Sequence, residues 1–171
     1  MTKDDFKELI DDFKVYYATT CFLLINIHPS LVNQTLNLAG LDPGSSMLWR
    51  RSDNTYYTLD LYQVLSRTVN NPDFNIDQLG LPLFPIIATI HDFGKNHGFI
   101  NQSPEFEFFR HIRNAISHGN RFTFGPYEPS RPASFSGKEI DNSLNGMENV
   151  LFTFIGIGDV LDSLDHIRDN V

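Results

Sequence analysis

The sequence predicts an all-α protein, an up-and-down helical bundle with a Pro-, Gly- and Phe-rich loop ahead of a long C-terminal helix. Three observations carry that prediction. Apolar residues recur at intervals of three and four in several segments, the period of a helix with one buried face. A segment around position 110 bears a full set of helix start and stop signals. Strand-like alternation is weak throughout, so the apolar stripes are left to bury against one another as packed helices.

The first stripe runs from Lys3 to Ile27 through Phe6, Leu9, Ile10, Phe13, Tyr17, Cys21, Leu24 and Ile27. Thr2 is placed to cap it, Asp4 and Asp5 complement the positive end of its dipole, and Pro29 marks its stop. From Ser30 to Asn54 the signals are mixed, and the expectation is a loop with one short helix around Leu31, Leu36 and Leu38. Leu59, Leu61, Tyr62, Leu65 and Val69 predict a second helix ending near Asn70-Asn71-Pro72. Pro82 and Pro85 punctuate the next apolar run, which continues as a helix through Ile86, Ile87, Ile90 and Phe93 to Gly94 or Gly98. The best-marked helix follows at 104–118, with Ser103 as cap, Pro104 at the first helical position, Glu105 and Glu107 in the first turn and Gly119 beyond the last. Arg121 to Gly137 reads as a loop or irregular hairpin. Ser136-Gly137-Lys138-Glu139 has the pattern of a capping box. The stripe Ile140, Leu144, Met147, Leu151, Phe154, Gly158, Leu161 and Leu164 then predicts a final helix of about 30 residues, bent at Gly156 or Gly158.

The 171 residues fit a single domain, 1–171, of a size that buries about two-thirds of its unfolded surface. Hydrophobic residues at 41%, with 15 Phe, exclude a disordered acidic chain. The formal charge is 13 − 21 = −8, which argues against a surface coated in basic residues, although it does not fix the local field at a site. One cysteine, Cys21, rules out an internal disulfide or a multi-cysteine metal centre and makes a reducing compartment the default. Met1-Thr2-Lys3-Asp4-Asp5 lacks the features of a secretory signal, and no apolar run approaches the roughly 18 residues of a membrane span, so the expectation is a cytoplasmic protein without a membrane partner.

Chemistry concentrates on the helix at 104–118. On a wheel, Phe108, Phe109, Ile112, Ala115 and Ile116 form the core face, while Arg110, His111, Arg113, Asn114, Ser117 and His118 fall opposite. Asn114 and His118 are one turn apart, and Arg113 lies about 7.5 Å along the axis from His118, a span suited to a phosphate diester and its flanking ribose. An imidazole can take the proton of a 2′-OH or supply one to a leaving 5′-oxygen. A guanidinium can stabilise the charge that builds on the phosphoryl group. That set suits RNA cleavage without a metal, and no cofactor is called for. The same residues would equally serve as the solvated face of an amphipathic helix.

Arg113-Asn114-Ala115-Ile116-Ser117-His118 resembles the R-x4–6-H motif of the HEPN superfamily (higher eukaryotes and prokaryotes nucleotide-binding), in the form where a polar residue follows the Arg. The motif's place near the end of a helix, the Phe- and Pro-rich loop with Pro132-Ala133-Ser134-Phe135, and a final capped helix are similar to the branch found in bacterial defence and toxin-like proteins. The resemblance implies a metal-independent endoribonuclease that works as a homodimer, the Arg and His of both subunits facing one cleft, with RNA as substrate and an antitoxin or defence protein as partner. It makes Arg113 the transition-state stabiliser, His118 the general acid or base, and Asn114 the residue that orients or binds. Arg110, His111, Ser117 and Asn120 are added as RNA contacts. At Asn120, two residues after the His, the chain departs from members paired with a nucleotidyltransferase antitoxin, which often carry a Tyr there as the target of modification. A non-catalytic RNA- or protein-binding module of the same fold is the alternative.

A rival signal, Ile90-His91-Asp92-Phe93-Gly94-Lys95, resembles the H-D-x-G-K signature of HD-type metal phosphohydrolases, which would make His91 and Asp92 metal ligands. Its completion is poor, because no His lies between His28 and His91, leaving His97, His111 and Asp159 as late ligands. Cys21 sits on an apolar stripe and reads as packing. Trp49-Arg50-Arg51 reads as a satellite Trp with two solvated arginines, and Asp159, Asp162, Asp165 and Asp169 as a solvated acidic edge.

Overall fold

The computed structural model describes residues 1–26, 34, 40, 46–60 and 80–171, and these are mostly helical. Contacts divide the chain into two compact units, Met1–Ala18 with Leu79–Val171 and Thr19–Gln78.

The helix α1 (Lys3–Asn26), whose residues to Ala18 belong to the first unit, begins with a reciprocal cap: the Asp5 amide donates to Thr2 Oγ1 at 3.1 Å and the Thr2 amide donates to Asp5 Oδ2 at 2.7 Å. Phe6, Ile10 and Tyr17 are buried, as their spacing requires. The next helix, α2 (Leu83–Asn96), tolerates Pro85 because its first-turn N–H groups have no partner inside the helix. Gly94 does not end α2. A Cβ there would stand 2.8 Å from Ile100 Cγ1 and 3.0 Å from Phe6 Cζ, so the glycine lets α1 and the following loop approach, and the chain turns instead at Gly98, φ +71°.

The helix α3 (Pro104–Ser117) matches its sequence signals within one residue. Ser103 holds the cap position, its carbonyl accepting from the Glu107 amide at 2.9 Å, and the left-handed Gly119 follows the terminal His118. Phe106, Phe108, Phe109, Ile112, Ala115 and Ile116 are buried. Phe108 meets Phe135 and Phe154 at ring-centroid distances of 5.9 and 6.1 Å, which ties α3 to the segments that follow it.

The expected 30-residue C-terminal helix is corrected. Ser134–Phe135 (β3) and Lys138–Glu139 (β4) pair as an antiparallel hairpin around Ser136 and Gly137, both at positive φ (49° and 78°). The tetrapeptide that has the pattern of a capping box is therefore a two-residue hairpin turn, which needs left-handed backbone at both positions. A 3₁₀ turn at Asn142–Leu144 follows, capped by the Asp141 side chain. The segment through Val150–Phe154 is bent by Asn149 (φ 54°) and Phe152 (φ 100°). Only Ile157–Asn170 (α4) is a regular helix, begun by Asp159 Oδ2 accepting from the Gly156 amide at 2.9 Å. Val160, Leu164 and Ile167 are its core face, and Asp11 and Lys14 of α1 pair with its Arg168 and Asp165. Among the described residues no helix is long and apolar enough to cross a membrane.

In the second unit Ser46–Arg50 (β1) and Tyr56–Asp60 (β2) form an antiparallel pair with Trp49 opposite Tyr57. The all-α expectation fails at this hairpin and at β3–β4. A loop ending at Asn54 and a helix starting at Leu59 are both replaced here by strands. Tyr56, Tyr57 and Thr58 favour a pleated surface, and Asp53 Oδ1 accepts from the Thr55 amide at 2.9 Å beside the left-handed Asn54, which closes the turn. The rest of the expected helix over 59–69, and most of the short one around 31–38, lie outside the described residues.

Candidate functional site

The site is built where α2 and α3 pack. Arg113, on the last two turns of α3, reaches across to α2, where its Nη2 donates to Asp92 Oδ1 at 2.9 Å and to Oδ2 at 2.8 Å. Its Nη1 donates to Asn114 Oδ1 at 3.3 Å, and its Nε is buried with no hydrogen-bond partner. An orphaned buried donor costs about 1–3 kcal/mol. The guanidinium is thus set by Asp92 rather than by satisfaction of all its own donors. Asp92 is held in turn: His91 Nδ1 lies 3.1 Å from Oδ1, so the imidazole carries its proton on Nδ1 and points it at the carboxylate. The His91 hydrogen bond, and then Arg113, hold the Asp92 carboxyl below its usual range. Burial pushes His91 down from its ordinary value, which keeps the ring neutral.

Nearly two turns earlier on α3 lies a second polar group. Glu107 is 5% exposed, with Arg110 Nε donating to one oxygen at 2.8 Å and Arg131 Nη1 to the other at 3.3 Å. Arg110 also donates through Nη1 to Glu128 at 3.4 Å and lies 2.9 Å from His111 Nε2 through Nη2. An arginine cannot accept, so His111 Nε2 is the acceptor and His111 is neutral. Burial, and next the Arg110 charge, lower its pKa in agreement.

The structure therefore divides the polar face that the wheel predicts. Ser117 and His118 are exposed at the end of α3, Asn114 is half-buried beside Arg113, and Arg110 is folded back onto Glu107, Glu128 and His111. His111 is not on an open face; at 2% exposure, edge-on to Phe124 with centroids 5.5 Å apart, it has no surface to offer RNA. Asn120 is likewise spoken for. Left-handed at φ 60°, it donates through Nδ2 to the Leu151 carbonyl at 3.2 Å and accepts from the Leu151 amide at 2.7 Å, which pins the bent segment before α4.

His91 and Asp92 do not fit a metal centre. Both Asp92 oxygens accept from Arg113, the His91 nitrogen nearest them is protonated, and among the described residues no group of three His, Cys, Asp or Glu side chains could hold an ion. What local spacing could not reveal is that Asp92 belongs with Arg113, 21 residues on. Nor could it reveal that Glu107, placed by sequence as a first-turn acid, is a buried anion between two arginines.

No protein-family model, curated protein or solved structure matches the chain.

Proposed function

We propose that the chain is a metal-independent endoribonuclease, HEPN-like in its R-x4-H motif, that acts as a homodimer in a toxin or antiviral-defence role. The observation that carries this reading is the Asp92–Arg113 grip on the same helix that ends in an exposed His118. A guanidinium fixed by a neighbouring carboxylate is pre-organised, and pre-organised charge is what a developing phosphorane dianion rewards. In the reaction the 2′-oxygen attacks the adjacent phosphorus, the bond to the 5′-oxygen breaks, and the products are a 2′,3′-cyclic phosphate and a 5′-hydroxyl. One proton leaves the 2′-OH and one arrives at the 5′-oxygen. The His118 side chains of the two subunits supply base and acid, Arg113 stabilises the phosphoryl oxygens, and Asn114 orients the group beside it.

Incubation of the purified chain with single-stranded RNA in excess chelator tests the reading. Cleavage persists with cyclic phosphate ends, and His118→Ala lowers it about 100- to 10,000-fold, the usual worth of general acid–base catalysis. Cleavage only on addition of a divalent metal overturns the proposal. The Asp92–Arg113 pair also suits a non-catalytic module in which it merely joins α2 to α3. RNA binding without cleavage under either condition is the result that favours that second reading.

A further inference from the structure

On the N-terminal side of Arg113 along α3 lies an open cavity of about 450 Å³ lined by α2, the connection at residues 100–102, α3 and the loop around residues 128–131. Its lining includes His91, Lys95, Gln102, Arg110, Glu107 and Arg131. We propose that this cavity is a nucleotide subsite, which takes one base of single-stranded RNA against the face of Arg110 and its phosphate on Lys95, next to the scissile bond at Arg113. The inference rests on the nuclease reading for its place in a reaction, but the cavity's chemistry stands independently of it.

The argument starts with Arg110. Its Nε, Nη1 and Nη2 each meet one partner, Glu107, Glu128 and His111 respectively, so the guanidinium plane is fixed from three sides. That leaves a ligand the flat face, held rigid by three different residues, and one N–H on each Nη. Unpaired bases stack on such planes. The charges come next. Arg110, Arg131 and Lys95 set against Glu107 and Glu128 leave one net positive charge. Both Glu107 oxygens are taken by guanidiniums, whereas Lys95 is exposed and pairs with no carboxylate among the described residues. In a chain of net charge −8, a lone uncommitted cation at a cavity mouth is a local site for an anion. Hydrogen-bonding groups complete it: Gln102 offers both amide donor and carbonyl acceptor, and the neutral His91, with its Nδ1 proton directed at Asp92, has Nε2 as an acceptor.

Size and position agree. The volume lies within the roughly 300–1,000 Å³ of small-ligand sites. Arg110 precedes Arg113 by about 4.5 Å along the helix axis, so a base at Arg110 sets its neighbouring phosphate near Arg113. His91 also lines the cavity while orienting Asp92, the carboxylate that grips Arg113. A filled subsite therefore bears on the same residues that fix the stabilising charge.

The test uses the full chain, with uridine and adenosine monophosphates and a single-stranded RNA oligomer as probes, and the Lys95→Ala/Gln102→Ala double variant, both positions being exposed. Wild type is expected to bind a mononucleotide that competes with the oligomer. The double variant loses that binding at least tenfold, raises KM for RNA and blurs base preference on one side of the cut. Its salt slope in RNA binding becomes shallower by about 0.7 for the lost phosphate contact. Unchanged KM, base preference and mononucleotide binding in a folded double variant overturn the subsite while leaving the nuclease reading intact. Lys95-dependent mononucleotide binding by a chain that cleaves no RNA supports the subsite and removes the nuclease. Mononucleotide binding that fails to compete with RNA overturns its assignment to the RNA path.

Discussion

Asp92 is the residue on which the candidate site turns. A carboxylate that accepts twice from Arg113 while it accepts from His91 would act on the proposed reaction through Arg113, as a positioning residue. Asp92→Asn preserves shape and removes the charge that orders the guanidinium. Misplacing a stabilising group by about 1 Å costs on the order of 100-fold. The expectation is a fall of that order in kcat with KM little changed, and partial recovery in Asp92→Glu. An unchanged kcat reduces Asp92 to a bridge between helices. Stability should move little, since the carboxylate is half-exposed and screened.

The two buried histidines make a separate expectation. His91 and His111 have folded pKa values lowered from the ordinary value of about 6.5, by burial above all. The unfolded chain therefore binds protons that the folded chain refuses. Stability is full above pH about 6.5 and is lost as pH falls from there through the depressed folded values, at up to about 1.4 kcal/mol per pH unit for each histidine. Urea melts from pH 7.5 to 5 measure this, and His111→Phe should flatten the slope.

At the scale of elements, α1, α2 and α3 were legible because each carries its own period and its own ends: Thr2 with Asp5, Pro85 near a start, Pro104 and Gly119 around α3. The C-terminal stretch misled for a physical reason. Ile140, Leu144, Met147, Leu151 and Phe154 are spaced by threes and fours, but Ile140 and Leu151 are buried from a hairpin exit and a bent segment rather than from one helix face. Countersigns were present in Ser136-Gly137 and Asn145-Gly146, both turn dipeptides. Of the site, the sequence exposed Arg113, Asn114 and His118 together; the Asp92 partnership and the burial of His111 are tertiary facts that no wheel contains. Asn120 shows how strongly the bent segment depends on long-range bonds. Asn120→Ala removes two hydrogen bonds to Leu151 and leaves a left-handed position occupied by a residue that disfavours it. A loss of about 2–4 kcal/mol in chemical denaturation is expected. Asn120→Gly, which relieves the backbone but not the bonds, should lose less.

For the whole molecule the question is how a chain of charge −8 would hold the polyanion proposed as its substrate. Much of the positive charge around the site is already neutralised: Arg113 by Asp92, and Arg110 and Arg131 by Glu107 and Glu128 together. A single chain therefore has few cations for phosphate, and a two-fold assembly doubles them without adding basic surface. With Arg113 and Lys95 from each of two chains in contact with phosphate, the slope of log affinity against log salt is expected near −2.8, from four contacts at about 0.7 each on a single strand. A broad basic surface gives a much steeper slope. Light scattering at micromolar concentration should return the mass of a dimer, and RNA affinity should fall with dilution through the dimer's dissociation range. A strictly monomeric profile, with a salt slope near −1.4, means that each chain engages RNA alone, and the shared cleft has to be abandoned.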